Sequence, residues 1–541
     1  MNKIAQYLNE HIVGEVSALK SLRHHFSQDT SVLSVTPELV MFPRVTNDIR
    51  KAARFAWQLA EKGHVLGMTV RGGGSDKTGA AIGKGIIINT SAHLDTILHI
   101  GLKERIAHVQ PGVTLKTLND TLQWHGLSLV NTPEISALGT VGGAVANNAV
   151  GQKGALGDAV TKLEIILANG DLIETNRLSK REVSKKKGLQ TFEGEIYRKL
   201  DGIIEDNEEL IASMTKDSRR DGAGYNAIKE VKDKDGSFDL TPLFVGSQGT
   251  LGIISELVIK TDFFSKDESI VVGVAENSEI ARDLADAIQS LQPAVLETYD
   301  GALFAGAIEK GKKYALFGDD IETLGQKAVI YATFNDFNDH ARSHKLKKVV
   351  KLFSKQTITP FTSETVAVED LTVLRDVMSL LQANVNDTES MPPIVDGAYV
   401  PSERHEDFVA ALRELASKIH LDLPIKTNVL TGIISVYPLL HLGEVSDKQK
   451  IFRLMNEYSA LVQKSGGVFV AESGEGRLKA NAAWALMDDE TVSLYEQIRL
   501  VFDPYGTLNP EVKQKNDTKH IVAALRSSYD IADTIDRGAG R

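Results

Sequence analysis

Residues Leu138–Asp158 read LGTVGGAVANNAVGQKGALGD, six glycines and two adjacent asparagines set among short apolar residues, with one acidic residue at the very end. Glycine has no Cβ and tolerates positive φ, so such a strip lets main chain lie close against a bulky ligand. Successive free N–H groups in such turns form nests that suit a pyrophosphate. One glycine-rich loop is often only a turn. Here two more flank it: Val70–Gly79 (VRGGGSDKTG) follows a strand-like apolar run, and Gly246–Glu256 (GSQGTLGIISE) lies downstream. The ordered set, rather than any one glycine, points to a cofactor. No strict G-x-G-x-x-G opens a helix, which argues against a Rossmann dinucleotide fold.

Working outward, the periodicity predicts helices over Asn47–Lys62, with Ile49, Ala53, Ala56 and Leu59 on one face, and over Thr114–His125, capped by Thr114. Val65–Val70 and Gly85–Asn89 read as buried strands on either side of the first loop. Thr161–Ala168 reads as a strand that turns through Asn169–Gly170 into Asp171–Thr175. Residues Ser179–Asp239 are charged and exposed, and Phe264–Glu268 is a linker. Beyond it, Ile270–Val274, Lys327–Phe334 and Gly432–Tyr437 read as strands and Ser278–Ser290 as a helix. The run Lys345–Lys351 (KLKKVVK) is a solvated helix face or a contact for anionic lipid.

At 541 residues the chain needs two or more cores. A formal net charge of -11 argues against nucleic acid as a partner. No apolar run approaches the roughly 20 residues of a membrane span. The amphipathic start, MNKIAQYLNEHIVGEV, lacks the apolar core of a signal peptide. The expectation is a cytoplasmic protein with at most peripheral contact at the inner face of a membrane. Cysteine is absent, which excludes disulfides, a thiolate nucleophile and cysteine-held zinc or iron–sulfur clusters within the chain.

Three glycine loops in this order, with VQPGV (Val109–Val113) between the first two, resemble the FAD-binding domain of the vanillyl-alcohol-oxidase (PCMH-type) flavoproteins. The likeness is strongest toward the D-lactate/glycolate/D-2-hydroxyglutarate dehydrogenase branch. It implies an α+β protein: a PCMH-type two-subdomain FAD-binding domain, then an antiparallel-sheet cap domain with helices on one face. The expected divisions are a helical segment at 1–30, the FAD-binding domain at 31–265, the cap at 266–500, and a return segment and tail at 501–541. Carried over by position, Arg71, Gly72, Gly73, Gly74 and Ser75 would serve the diphosphate. Pro111, Gly112, Thr140, Gly142 and Gly143 would line the cofactor path, with Asn147 and Asn148 toward the flavin. Gly249, Gly252 and Ile254 would flank the adenosine side. The first loop has no histidine and the chain no cysteine, so FAD is expected to be non-covalent.

The C-terminal half carries a second resemblance. In LTVLR (Leu371–Arg375), followed by PIVDGAYVP (Pro393–Pro401), Arg375 stands where the family clamps the substrate carboxylate. A surface ion pair is the other reading of this arginine. FDPYGTLNP (Phe502–Pro510) resembles the closing motif whose asparagine, here Asn509, returns to the flavin. The branch's two metal-holding histidines fall at Asn428 and Ser435. Its E-H-G motif reads Glu472-Ser473-Gly474, so the base histidine is serine too. Without imidazoles no metal is expected. Glu472 and Glu475 are the candidate catalytic carboxylates, with Lys479, Tyr437 and His441 as further candidates for the base.

The implied function is an FAD-dependent oxidation of a small 2-hydroxy acid, D-lactate-like, or of a related alcohol or sugar lactone, by hydride transfer to flavin N5. A quinone, an electron-transfer protein or oxygen would reoxidise the flavin. The alternative is a flavin-bearing electron-transfer or binding subunit that has lost dehydrogenase chemistry.

Overall fold

The computed structural model describes residues 3–131, 133, 138–214, 221–317, 320–383 and 389–530; the tail expected beyond 530 lies outside them. Three sheets follow one another along the chain. The first contains β1 (Glu15–Ser17), β2 (Leu39–Phe42), β3 (Met68–Arg71) and β4 (Ile86–Asn89) in the order β1-β2-β4-β3. Its β2, β4 and β3 are parallel. Their runs LVMF, MTVR and IIIN are almost wholly buried, as strands covered on both faces must be. Helix Thr46–Ala60 lies against them through Ile49, Ala52, Ala53, Ala56 and Ala60, small side chains that allow close approach. Its buried Asp48 accepts hydrogen bonds from the Val13, Gly14 and Arg44 amides and so fastens the N-terminal segment.

The second sheet comprises β5 (Ile97–Gly101), β6 (Ile106–Val109), β7 (Leu127–Leu129), β8 (Val160–Ile166), β9 (Leu172–Thr175) and β10 (Ile253–Phe263). The strand order is β5-β6-β10-β8-β9, with β7 on the far end of β10. The predicted turn joins β8 to β9, with Gly170 at φ +83°. Thr114 caps helix Leu115–Trp124 by accepting from the Thr117 amide.

After 264–268 the third sheet begins: β11 (Ser269–Ala275), β12 (Val295–Asp300), β13 (Ala328–Phe334), β14 (Phe361–Thr362), β15 (Ala398–Tyr399), β16 (Ile425–Asn428) and β17 (Ile433–Val436). It is antiparallel throughout, in the order β14-β11-β13-β12-β16-β17-β15. Strand alternation divides its two faces. Leu296, Ile330, Ala332 and Phe334 meet the long helices Ser278–Gln289 and Asp339–Lys355. The register puts Ile425, Thr427 and Ile434 on that same face, where helices His405–Ile419 and Val445–Lys464 continue the cover. The long helices therefore share one face. The other carries short helices, Gly301–Glu309 and Val377–Gln382 among them, and the polar residues of the site. On Asp339–Lys355, Leu346 and Val349 are buried while Lys347, Lys348 and Lys351 are exposed.

The chain finally returns to the first sheet. The Met68 amide donates to the Thr507 carbonyl and the Asn509 amide to the Met68 carbonyl, so 507–509 edges β3. No helix among the described residues is long and apolar enough to cross a membrane.

Candidate functional site

A cavity of about 380 Å³ opens where the three glycine loops meet. Gly72, Gly73, Gly74 and Ser75 line it from the first loop, and Thr140, Gly142, Gly143 and Asn147 from the second. Gly249, Gly252 and Ile254 come from the third, with Pro111 from the intervening VQPGV. The glycines are needed chiefly because loop packs on loop. A Cβ on Gly73 would collide with the Leu138 carbonyl, and one on Gly142 with the Pro111 ring. At Gly143 the nearest atom to a Cβ would be Thr140 Oγ1 at 3.1 Å. Main chain held this close to a cavity is what a pyrophosphate-bearing cofactor requires, and no histidine among the described residues lines it.

Four predicted cofactor residues stand behind that wall instead. Arg71 points away from it, donating to the Gln28 carbonyl at 2.7 Å, its guanidinium 5.3 Å from the Phe26 ring centroid. The amide of Gly112 donates to the Leu94 carbonyl. Asn148, in the left-handed region at φ +48°, lines a separate cavity beside Tyr225 and Asp239. Asn509 is a buried brace: its Nδ2 donates to the Ala80 and Gln248 carbonyls (2.9 and 2.7 Å), and its Oδ1 accepts from Thr69. A polar side chain arriving from the sequence's far end reads as a cofactor contact until the loops it braces are seen.

Gln248 and Asp76 are residues that sequence reasoning missed. Gln248 Nε2 donates to Asn147 Oδ1 and to the Ser473 carbonyl, and its Oε1 accepts from the Gly476 amide. Asp76 accepts from Asn147 Nδ2 at 2.9 Å and from the Ala80 amide at 2.7 Å. Both lie inside the glycine-rich loops, where a polar residue among glycines is the signal that marks them.

A second, smaller cavity of about 50 Å³ adjoins the first, sharing Lys77, Tyr437 and Glu472 with it. Its floor is the polar face of the third sheet. There the buried Glu297 receives Arg375 through Nε (3.0 Å) and Nη2 (3.3 Å), Tyr299 through its hydroxyl (2.6 Å) and Gln152 through Nε2 (3.0 Å). Lys426 Nζ lies 3.5 Å from the same carboxylate. Burial alone would push Glu297 up, but Lys426 and then Arg375 override it and hold the carboxyl at about 2. Arg375 sits on the short turn Val373–Asp376 between two short helices, which aims its fork at the sheet. Lys77 and the fully buried Lys479 both pair with Asp396, at 3.2 and 3.3 Å. Burial raises Asp396; Lys479 and Lys77 bring it to about 2.

Other candidates lie elsewhere. Glu475 is fully buried and reaches neither cavity; Lys513, the Trp484 indole and the Gly224 amide all donate to it. His441 pairs with Glu389 and Asp447 outside both cavities. Glu472 alone of the two predicted carboxylates faces the site, next to Ser473 at φ +69°.

The metal implied by the resemblance does not fit these residues. Asn428 Oδ1 accepts from the Leu430 and Thr431 amides, closing the turn between β16 and β17, and its Nδ2 donates to the Gly151 carbonyl. Ser435 pairs across the sheet with Lys426, whose ammonium would repel a cation there. Among the described residues no three His, Cys, Asp or Glu side chains converge as a metal site.

Comparison with known proteins agrees with this geometry. Residues 37–176 match an FAD binding domain and residues 265–512 the C-terminal domain of FAD linked oxidases. The D-2-hydroxyglutarate dehydrogenase of Pantoea ananatis is 26% identical over 540 residues, covering 96% of this chain and 52% of that protein. The chain thus spans about half the length of the curated hydroxyglutarate dehydrogenases it matches. The D-lactate dehydrogenase of Archaeoglobus fulgidus is 24% identical over 448 residues, 82% of this chain and 84% of that one. In fold, the chain is similar to p-cresol methylhydroxylase with substrate bound, with a TM-score of 0.68 at 13% identity, covering 95% and 98% of the two chains. The chain thus carries an FAD binding domain followed by the C-terminal domain of FAD linked oxidases, on a fold similar to that of p-cresol methylhydroxylase.

Proposed function

We propose that this protein oxidises the CH–OH group of a small 2-hydroxy acid, with FAD held non-covalently in the larger cavity and the substrate in the smaller. The observation that carries this reading is the shared wall: Glu472, Tyr437 and Lys77 border both cavities. Substrate on the floor of one thereby faces cofactor in the other. When bound, FAD supplies an acceptor for the hydride leaving the substrate carbon. Arg375 orients the substrate carboxylate, Glu472 takes the hydroxyl proton, and a 2-oxo acid remains. A hydroxy-acid substrate agrees with the names of the relatives, and an external acceptor (a quinone, an electron-transfer protein or oxygen) completes the cycle. In this reading residues 31–265 bind the cofactor, 266–500 cap the substrate, and Glu475 and Asn509 are structural.

A second reading, a flavin-bearing electron-transfer or binding subunit, is favoured by one observation: Asn428, at a family ligand position, is consumed in a turn. One experiment separates the two. The purified protein is yellow, and acid denaturation releases its flavin into solution. Anaerobic addition of D- and L-2-hydroxy acids then bleaches the flavin bands if the enzyme reading holds. Flavin that no hydroxy acid, alcohol or lactone reduces supports the subunit, and a colourless protein that takes up no FAD overturns both.

A further inference from the structure

Gln248 takes a strained place on the third glycine loop. It carries a side chain, yet its backbone lies in the left-handed region at φ +53°, and it is 4% exposed. Its main chain is pinned from two sides: the amide donates to the Ala146 carbonyl of the second loop, and the carbonyl accepts from Asn509. The side-chain amide reaches further. Nε2 donates to the Ser473 carbonyl at 3.0 Å and to Asn147 Oδ1 at 3.1 Å, with Thr78 Oγ1 of the first loop at 3.3 Å. Oε1 accepts from the Gly476 amide at 2.9 Å. One side chain thereby joins three cofactor loops to the segment that carries Glu472. We propose that Gln248 is a positioning residue that holds Glu472 against the cofactor cavity. This rests on the reading of Glu472 as the group that takes the hydroxyl proton.

The turn after Glu472 is built around that amide. Ser473, Gly474 and Gly476 are all left-handed, at φ +69°, +68° and +53°, and a Cβ on Gly474 would come within 2.6 Å of Gln248 Cδ. On the other side, the Ala471 and Glu472 amides both donate to the Gly397 carbonyl. A Cβ on Gly397 would stand 2.8 Å from Glu472 Cβ. Glu472 is therefore clasped between Gly397 and, through Ser473, Gln248. The sense of the amide is fixed as well. Its Nε2 hydrogens serve oxygens of Ser473 and Asn147, and a reversed amide would set oxygen against oxygen. Asn147 donates in turn to Asp76 at 2.9 Å, which carries the tie into the first loop. Gln248 borders the larger cavity and not the smaller, so contacts to substrate on the sheet do not run through it. Its loss should act on the proton acceptor rather than on substrate binding.

The test is a double-mutant cycle on turnover per bound flavin, with the hydroxy acid that bleaches the flavin as substrate. Gln248→Met and Glu472→Gln each lower kcat by about 10–100-fold, as a misplacement of about 1 Å can do. Gln248→Met keeps KM and flavin content near wild type. The double variant is no slower than Glu472→Gln, because Gln248 acts through that carboxylate. Additive losses overturn the proposal, and so does a raised KM at unchanged kcat. Hydrogen exchange on the protein as purified reads the tie without turnover: peptides spanning 472–476 exchange about 10-fold faster in Gln248→Met, and those of helix Thr46–Ala60 are unchanged. Equal exchange at 472–476 overturns the proposal. If Gln248→Met does not fold, Gln248→Glu carries the test. Its carboxyl can donate to the Ser473 carbonyl only when protonated, so its kcat relative to wild type falls as pH rises; a ratio constant with pH overturns the proposal. A loss in Glu472→Gln without one in Gln248→Met removes this inference alone. Full turnover in Glu472→Gln removes the proton-acceptor reading and this inference with it.

Discussion

Around the larger cavity the working surface is main chain. Gly72, Gly73 and Gly142 have no side chain because the neighbouring loop occupies its place, and what faces the cavity is mostly peptide and small residues. Around the smaller cavity the working surface is side chains: Arg375, Lys426, Gln152 and Tyr299 converge on Glu297 across strands and a helical turn far apart in sequence. A main-chain cradle can be kept only by keeping its glycines. A side-chain cluster can be rebuilt one residue at a time.

Gly73→Val should show the largest effect. Its side chain would displace the Leu138 carbonyl, and overpacking of this kind costs roughly 1–3 kcal/mol before the cradle itself is distorted. The variant should purify almost without flavin, by the ratio of visible to ultraviolet absorbance; full flavin content would break the contrast between the two regions. Arg375→Ala should bind flavin normally and lose kcat/KM by about 10–100-fold, the equivalent of a charge-assisted bond of about 1.5–3 kcal/mol. Arg375→Lys keeps the charge without the fork and should lose less. Equal kinetics in all three would make this arginine a purely structural partner of Glu297.

Glu475→Gln sharpens the boundary of the site. It leaves Lys513 buried beside a neutral amide, so melting should occur several degrees lower, while turnover per bound flavin should stay near wild type. A selective loss of turnover would return Glu475 to the chemistry.

The smallest expected effect is a difference in pH response. Behind the first loop, burial and then the Asp76 charge push Asp29 from 3.8 up to about 7. A raised carboxyl favours the fold below its ordinary pKa and forfeits that advantage as pH climbs through about 7. Glu297 is depressed from 4.5 to about 2, so its contribution is complete above about 4.5 and disappears as pH falls through about 2. Asp29→Asn should therefore gain stability over wild type as pH rises from 4 to 8. Glu297→Gln should be less stable at neutrality and converge with wild type in strong acid. Melting curves across pH for both variants decide it; parallel curves would refute the opposite signs.

Much of the cradle was legible because its reasons are local. Gly170, Thr114 and the glycine loops do in space what they do in sequence, and Glu472 was identifiable from the residues around it. Glu297 and Lys426 were not. Their signal was faint, charged residues in short strands otherwise rich in apolar and β-formers, and their meaning depends on a register that joins β12 to β16. Its motif points Asn509 toward the cofactor, and nothing local shows that its side chain also braces Ala80 and Gln248. Asn148, beside Asn147 in sequence, has a left-handed backbone and lines another cavity.

The brace made by Asn509 also sets a timetable. Its two donated hydrogen bonds reach back 429 residues to Ala80 and 261 to Gln248. On a ribosome the three glycine loops emerge long before that asparagine exists. They must wait, unbraced, through synthesis of the entire capping sheet. At about 5–20 residues per second that delay lasts on the order of tens of seconds. Nascent chains halted anywhere before position 509 should accordingly be colourless.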